Sequence, residues 1–239
     1  MNILVFILIF IIIIFAFFGF NHGQKGTDDL DFMVNKISWD LQSSIRISLK
    51  DKIIYIDPYK VKEKVKSDMV LITHAHQDHL SVNDLKMVAN PYSKIIAPAN
   101  CANGMKEAGF SLYKAVKPGD NLMVDDFKIE VVPAYNPGKH YHPKSNQWVG
   151  YVLDINGIKI YHPGDTGRIP EMKKITCDIA FMPLGQTYTM NSVQEAVDAI
   201  LDVKAKIAIP FHYGYAEGKK EDAQKFQQLL KGKVKVIIK

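Results

Sequence analysis

The sequence predicts an α/β (or α+β) domain of several layers, preceded by one apolar segment at the amino terminus. Short β-branched runs alternate with segments of helical length, the pattern of sheets packed against helices. The 239 residues are 47% hydrophobic and 23% charged, which excludes disordered, collagen-like and low-complexity chains. The net charge of +5 comes from scattered lysines, so we expect no nucleic-acid partner.

The amino-terminal segment has the length and hydropathy of a membrane span. Residues Ile3–Phe18 carry no polar side chain, and the run continues to Phe20. About 18 apolar residues suffice for a helix to cross a bilayer. A cleaved signal peptide and a buried core helix are the alternatives, but no basic residue precedes the run and no small-x-small site ends it. We therefore predict a single-pass membrane anchor over residues 1–20, and Lys25 and Lys36 after it favour a cytoplasmic location for the rest of the chain.

A polar linker and a single domain are predicted to follow. Residues 21–31 are rich in Gly, Asn, Gln and Asp, so we interpret them as the linker, and residues 32–239 as the domain. The predicted strands are Ile45–Leu49, Ile53–Ile56, Met69–Thr73, Lys94–Ala97, Leu112–Val116, Asn121–Val124, Phe127–Val132, Trp148–Ile155, Ile158–His162, Ile179–Met182, Lys206–Ile209 and Val234–Ile238.

Helices are predicted where capping residues open an apolar periodicity. Ser81 precedes a helix over Val82–Ala89, and Ser192 with Glu195 forms a capping box. Two further helices are predicted over Asn100–Gly109 and Glu221–Lys231. Asn156-Gly157 predicts a hairpin, since both residues tolerate positive φ.

Two cysteines, Cys101 and Cys177, exclude a disulfide-rich scaffold and a cysteine-only zinc site. Nothing in their spacing indicates pairing, and we expect separate thiols.

The chemistry is concentrated in the run His74-Ala75-His76-Gln77-Asp78-His79, directly after a predicted buried strand. His74 and His76 point the same way in an extended backbone and can bind one metal together. Asp78 and His79 follow in a turn and point at a second position. Imidazole and carboxylate together suit Zn²⁺, Fe or Mn²⁺. The alternative is a solvated histidine-rich loop, but leaving these groups unpaired at the end of a buried strand is costly.

Further ligands must come from other strand ends, because four side chains do not complete two sites. Asp165 follows a strand between glycines, although an Asx-turn would also explain it. His212 follows another strand, where a structural histidine is the alternative. Either His140 or His142 of the irregular 133–147 segment is the expected third ligand of the first site. Asp57 is placed to accept a hydrogen bond from a ligand imidazole.

This order of motifs resembles the metallo-β-lactamase fold superfamily. A strand-end Asp, the T-H-x-H-x-D-H run, a loop His, Gly-Asp-Thr and a strand-end His follow one another over nearly the whole domain. Within the superfamily, the chain is most similar to metal-dependent hydrolases of the ascorbate-6-phosphate lactonase-like group. The stretches that carry this similarity are residues 55–59, 133–136, 150–151, 161–166 and 185–190.

The resemblance implies a four-layer αβ/βα sandwich with a dinuclear metal site, most simply two zinc ions, with manganese or iron as alternatives. It assigns His74, His76 and His142 to one metal, and Asp78, His79 and His212 to the other, with Asp165 bridging. His142 is preferred to His140 because similar proteins carry His-Pro-Lys here. One departure is Gln42, which stands where many relatives carry a histidine.

The expected function is a membrane-anchored hydrolase that uses a metal-activated hydroxide to cleave an ester, lactone or phosphodiester bond of a small-molecule or lipid substrate. Asp78 is the candidate catalytic residue, and Tyr188, Tyr213 and Lys139 are candidate substrate contacts. The alternative is a membrane-tethered metal-binding module, a sensor or scaffold, without turnover.

Overall fold

Two mixed β-sheets and five α-helices make up the computed structural model, which describes residues 26–239. The predicted membrane anchor lies outside these residues. Within residues 26–239, no helix combines the length and hydropathy needed to cross a bilayer. The helices are α1 (Thr27–Asn35), α2 (Val82–Val88), α3 (Ala102–Ala108), α4 (Val193–Asp202) and α5 (Lys220–Leu230).

The first sheet contains six strands in the order β1-β2-β3-β4-β5-β6. Strands β1 to β3 are antiparallel, whereas β3 to β6 run parallel. The strands are β1 (Ile37–Trp39), β2 (Ile45–Ser48), β3 (Ile53–Ile56), β4 (Met69–Leu71), β5 (Lys94–Pro98) and β6 (Lys114–Val116).

The second sheet contains seven strands in the order β13-β12-β11-β10-β9-β8-β7. Strands β7 to β10 are antiparallel, and β10 to β13 run parallel. The strands are β7 (Asn121–Val124), β8 (Phe127–Pro133), β9 (Val149–Ile155), β10 (Ile158–His162), β11 (Ile179–Pro183), β12 (Ile207–Phe211) and β13 (Lys235–Val236).

The two sheets pack face to face, and helices cover their outer faces, which gives four layers. Alternation along β3 shows how the sequence builds this: Ile54 and Ile56 join the core between the sheets, while Tyr55 points to the layer of α2 and α3. Helices α4 and α5 cover the other sheet. The alternating chain therefore buries both faces of each sheet, as the resemblance implied.

The amino-terminal helix α1 corrects the predicted linker. Residues 27–31, assigned to the linker from their polarity, form the first half of α1. Leu30 is 3% exposed and enters the core between the sheets together with Met33 and Val34. A polar composition concealed one apolar helix face, because Leu30, Met33 and Val34 recur at helical spacing.

Several local predictions are confirmed. Strands β9 and β10 form the predicted antiparallel hairpin, with positive φ at Asn156 and Gly157. The Ser192 hydroxyl accepts from the backbone amide of Glu195 at the start of α4, which is one half of the predicted capping box. The other half is not formed, because the Glu195 carboxylate accepts from the backbone amides of Asn191 and Arg168. Cys101 and Cys177 are separate buried thiols.

Candidate metal centre

The histidine-rich run lies at the carboxyl end of β4, and Asp57 at the end of β3 fixes its start. Asp57 accepts from the backbone amide of Thr73 at 2.7 Å and from the Thr73 hydroxyl at 2.6 Å. A turn follows, in which the amides of His79 and Leu80 both donate to the carbonyl of His76. This turn sends successive side chains toward two neighbouring positions.

Three histidines gather at the first position. His74 Nε2 lies 3.0 Å from His76 Nδ1, and the rings of His74 and His142 are 5.2 Å apart. One ring nitrogen from each of the three lies within 4.8 Å of the others. The Trp148 ring packs against all three imidazoles, at 4.6 to 5.2 Å between centroids. The first group is therefore a cluster of imidazoles on an aromatic wall.

Asp78, His79 and His212 gather at the second position, with ligand atoms again within 4.8 Å of one another. Asp165 joins the two groups, because with His74 and His79 it forms a third set whose ligand atoms lie within 4.8 Å of one another. Its Oδ2 is 3.3 Å from both His79 Nε2 and His142 Nε2, and its Oδ1 is 3.2 Å from His212 Nε2. One buried carboxylate thus touches histidines of both groups.

A glycine shapes the turn that presents Asp165. Gly164 has φ of +66°, and a Cβ there would lie 2.9 Å from the Val149 carbonyl oxygen and 3.1 Å from Thr73 Cβ. Glycine is the residue that fits both the conformation and the space. The Asx-turn alternative does not account for an Asp165 carboxylate that is buried and faces three imidazoles.

Backbone strain concentrates at the same place. Four of the nine non-glycine residues with positive φ in the described part of the chain are Gln42, Asp57, His142 and His212. Such conformations cost on the order of 1–3 kcal/mol each and persist where surrounding structure enforces them. The fold therefore stabilises an unfavourable local backbone in order to present these side chains.

The charges within the cluster balance one another. Burial disfavours the charged form of each group, but the Asp165 carboxylate, with Asp57, holds the pKa of His79 well above its ordinary value. Burial is likewise outweighed at His212, where Asp165 and Glu217 raise the pKa to about 10. Burial is also outweighed at Asp165, where the charges of His212 and His79 hold the pKa well below its ordinary range.

His74 is different. Burial, reinforced by the charge of His79, holds its pKa well below the ordinary value. A neutral imidazole is the form that binds a metal, so the first group already has a ligand in its binding form.

The donor set fits divalent cations. The Nε2 atoms of His79 and His142 are buried and lie 3.3 Å from the Asp165 carboxylate without making a well-directed hydrogen bond within residues 26–239. Buried nitrogens without a hydrogen bond are costly unless another ligand satisfies them. The negative charge of Asp165 is what raises the pKa values of His79 and His212, and metal cations would meet that charge in place of protons.

Three residues contact the ligand candidates from the side away from the cluster. Asp57 Oδ2 lies 2.7 Å from His79 Nδ1, which confirms its predicted role. Glu217 Oε1 lies 2.9 Å from His212 Nδ1, and the Asn136 side-chain amide lies 3.0 Å from His142 Nδ1. Sequence reasoning missed Glu217 and Asn136, because each lies in a polar loop segment whose pattern carries no metal signal.

The structure separates the two loop histidines. His142 is buried beside Asp165, whereas His140 is exposed and belongs to none of the ligand groups found within residues 26–239.

Gln42, at the position where the resemblance implies a histidine, contacts the ligand candidates directly. Its side-chain Nε2 is 3.4 Å from both Asp78 Oδ2 and His212 Nε2. The early loop therefore reaches the cluster.

The three predicted substrate contacts have different surroundings. Lys139 Nζ donates to the backbone carbonyls of Gln186, Thr189 and Met190. These bonds direct its ammonium group toward the loop of residues 185–190. Tyr213 is 8% exposed and packs on Trp39 at 5.2 Å. Tyr188 is partly exposed, as Lys139 is, and its ring packs against Tyr141 at 4.8 Å between centroids.

A groove of about 930 Å³ begins at the outer side of the histidine-rich run. Ala75 and Gln77 of the run border it, and α2, α3 and the segment after β3 form its walls. Its polar lining includes Tyr59, Lys60, Lys64, Asn83, Asn100, Asn103 and Glu107.

Several proteins of similar sequence are described as metal-dependent hydrolases. The family model described as the β-lactamase superfamily domain matches residues 36–212. A UPF0173 metal-dependent hydrolase of Thermoplasma acidophilum is 31% identical over 206 residues, covering 81% of this chain and 90% of that protein.

Solved structures of similar fold include further proteins described as metal-dependent hydrolases. A protein of Parabacteroides distasonis assigned as a metal-dependent hydrolase is 34% identical, with a TM-score of 0.75 over 85% of this chain and 91% of that one. A protein of Thermotoga maritima assigned as a zinc-dependent hydrolase of the metallo-β-lactamase superfamily has a TM-score of 0.59 over 84% of this chain and 96% of its own, at 20% identity, which shows likeness of fold alone.

Proposed function

Because the chain belongs to the UPF0173 family of metal-dependent hydrolases within the metallo-β-lactamase superfamily, we propose that it cleaves an ester, lactone or phosphodiester bond at a dinuclear metal centre. The observation that carries the dinuclear proposal is Asp165. Its carboxylate lies 3.2 to 3.3 Å from histidine nitrogens of both groups, as a bridging ligand must.

The proposed ligand roles follow the two groups. His74, His76 and His142 hold one cation, and Asp78, His79 and His212 hold the other, with Asp165 shared between them. Imidazole and carboxylate ligands at short range suit zinc, which we propose as the metal.

Bound divalent cations would lower the pKa of a water molecule and stabilise negative charge that develops on the substrate. The chain's own residues complete the site. The Asp78 carboxylate is about one-third exposed, unlike the buried Asp165, so it faces both the cluster and the solvent side. From this position Asp78 can orient a nucleophilic water and accept its proton.

The substrate is proposed at the level of class. The stretches at residues 55–59 and 185–190 resemble the ascorbate-6-phosphate lactonase-like group, which supports a lactone or a related small ester. The groove bordered by Ala75 and Gln77 has a polar lining that contains none of the proposed metal ligands, and it supports a substrate that carries further polar groups. The apolar run over residues 1–20 supports a membrane anchor, and with it a lipid ester or phosphodiester as the second member of this class.

A substrate panel combined with metal analysis tests the proposal. The chain from residue 26 onward is stripped of metal, reloaded with zinc or manganese, and assayed against esters, lactones and phosphodiesters. We expect about two metal equivalents per chain, turnover in at least one arm, and loss of turnover on chelation. Asp165→Asn should lower both metal content and turnover. At most one equivalent in the wild type, or no turnover in any arm, would contradict the proposal.

A further inference from the structure

We propose that Glu217 is a positioning residue that sets the His212 imidazole and the loop of residues 185–190 together. This inference rests on the proposed function, because it assumes that His212 Nε2 binds metal. One buried carboxylate would then hold in place both a candidate metal ligand and the partly exposed Tyr188.

Glu217 is buried in a polar environment built around it. The residue is 6% exposed, and its backbone carbonyl accepts from the amide of Gly214, which turns the segment after β12 back toward His212. A buried carboxylate is costly unless its oxygens are satisfied. The two oxygens of Glu217 meet different partners.

Oxygen Oε2 holds the loop. It accepts from the backbone amides of Thr187 at 2.9 Å and Tyr188 at 2.6 Å. Residues 185–190 have neither helical nor strand hydrogen bonds of their own, so these two bonds fix the backbone of Tyr188.

Oxygen Oε1 faces the metal centre. It accepts from the Thr189 hydroxyl at 3.0 Å and lies 2.9 Å from His212 Nδ1. The contact with His212 is at ion-pair distance but is not a well-directed hydrogen bond. A carboxylate beside Nδ1 favours the tautomer with the proton on Nδ1, which leaves the Nε2 lone pair free to bind a cation.

The loop is shaped for this carboxylate. A Cβ at Gly185 would lie 1.8 Å from Glu217 Cδ and 2.3 Å from its Cγ, so a side chain there would displace Glu217. The same loop reaches the other ligand group, because the Asn136 amide donates to the Tyr188 carbonyl and lies 3.0 Å from His142 Nδ1. Glu217 therefore connects His212 to a loop that also adjoins His142.

Glu217→Gln separates the two roles without changing the shape of the side chain. The glutamine oxygen still accepts from the amides of Thr187 and Tyr188, while its NH₂ group takes the place of Oε1. That NH₂ donates toward His212 Nδ1 and favours the tautomer with the proton on Nε2, the atom proposed to bind metal. Glu217→Ala removes both functions, and Glu130→Gln, an exposed glutamate of β8, serves as the matched control.

The test uses the full chain and two measurements that need no substrate. Equilibrium dialysis against buffered Zn²⁺ gives the affinity of each metal equivalent, and hydrogen exchange of the metal-free protein gives the protection of the Thr187 and Tyr188 amides. We expect Glu217→Gln to weaken one of two zinc equivalents by about 10- to 100-fold, the range for losing a partner behind a metal ligand, with amide protection retained. Glu217→Ala should lose both the zinc affinity and the amide protection, and Glu130→Gln should match the wild type in both measurements.

Wild-type zinc affinity in Glu217→Gln would overturn the proposal, and so would unchanged protection of both amides in a folded Glu217→Ala. Steady-state kinetics separate this outcome from failure of the proposed function. If Glu217→Gln weakens a zinc site while the wild-type chain hydrolyses none of the substrates, the result counts against the proposed hydrolase substrates alone. Wild-type turnover with unchanged zinc affinity in Glu217→Gln would count against Glu217 alone.

Discussion

At the scale of single residues, the geometry of the candidate metal centre depends on the contacts that individual ring nitrogens and carboxylate oxygens make. Asp165 meets histidines of both groups, and Asp57 and Glu217 approach His79 and His212 from behind. Partners behind a ligand orient its ring and make it more basic, so their loss weakens metal binding even though they never touch the metal.

The two loop histidines give a matched pair of variants. His142→Ala should reduce bound zinc from about two equivalents to about one, because a buried imidazole of the first group is lost. His140→Ala should bind as the wild type does, since that side chain is exposed. Metal content after dialysis checks both. Zinc loss in His140→Ala with retention in His142→Ala would reassign the ligand.

The raised pKa values predict proton release on metal binding. The pKa of His212 is raised to about 10 and the pKa of His79 is raised well above its ordinary value, so we expect both imidazoles to hold a proton at pH 7 in the metal-free protein. Zinc must displace these protons, so its affinity should increase as pH rises from 6 to 8, by about tenfold per pH unit for each proton released.

Calorimetry in two buffers of different ionisation enthalpy measures this release directly. We expect about two protons per chain at pH 7. Release of none, or an affinity that does not change with pH, would show that the two histidines are already neutral before metal binds.

At the scale of elements, the carboxyl ends of parallel strands bring the site together. The histidine-rich run follows β4 in one sheet, while Asp165 and His212 follow β10 and β12 in the other. Strand ends are where a rigid scaffold hands over to loops that carry function. Helix α1 contributes differently, by covering the core between the sheets with Leu30, Met33 and Val34.

Helix α1 predicts a stability effect where the polar composition predicted none. Leu30→Ala should lower the free energy of unfolding by about 2–4 kcal/mol, because a buried leucine leaves a cavity. Phe32→Ala, on the same helix but 63% exposed, should change it by less than about 0.5 kcal/mol. Urea unfolding of residues 26–239 measures both. Equal and small effects would mean that residues 27–31 act as a linker after all.

At the scale of the whole molecule, the ligand candidates and their partners lie between Gln42 and Glu217, all within the described domain. The apolar run over residues 1–20 contributes none of these residues. The proposed metal centre and the predicted membrane anchor therefore occupy different parts of the chain, and we expect the two properties to be separable.

Deleting residues 1–25 tests that separation. We expect the full chain in the membrane fraction and the shortened chain in the soluble fraction, with zinc content unchanged. A hydrolase should still turn over small soluble substrates without its anchor, whereas a tethered sensor or scaffold would bind zinc and show no turnover. A full chain found in the soluble fraction, or a mature protein that starts beyond Phe20, would contradict the anchor.

The sequence by itself determined the layered α/β class, the β9–β10 hairpin and the candidate set built on the histidine-rich run, Asp165 and His212. These features depend on neighbours a few residues away. Each of these patterns can be interpreted from nearby residues alone: alternation along a strand, Asn-Gly at a turn, and closely spaced histidines after a buried run.

Only the tertiary structure decided the surroundings of these residues. It buried His142 and left His140 exposed, engaged Lys139 with loop carbonyls, and brought Glu217 to His212. Gln42 and His212 lie 3.4 Å apart across 170 positions of sequence. Such contacts arise because two sheets pack face to face and bring their strand ends to one edge, and no local pattern encodes which loop side chain then turns inward.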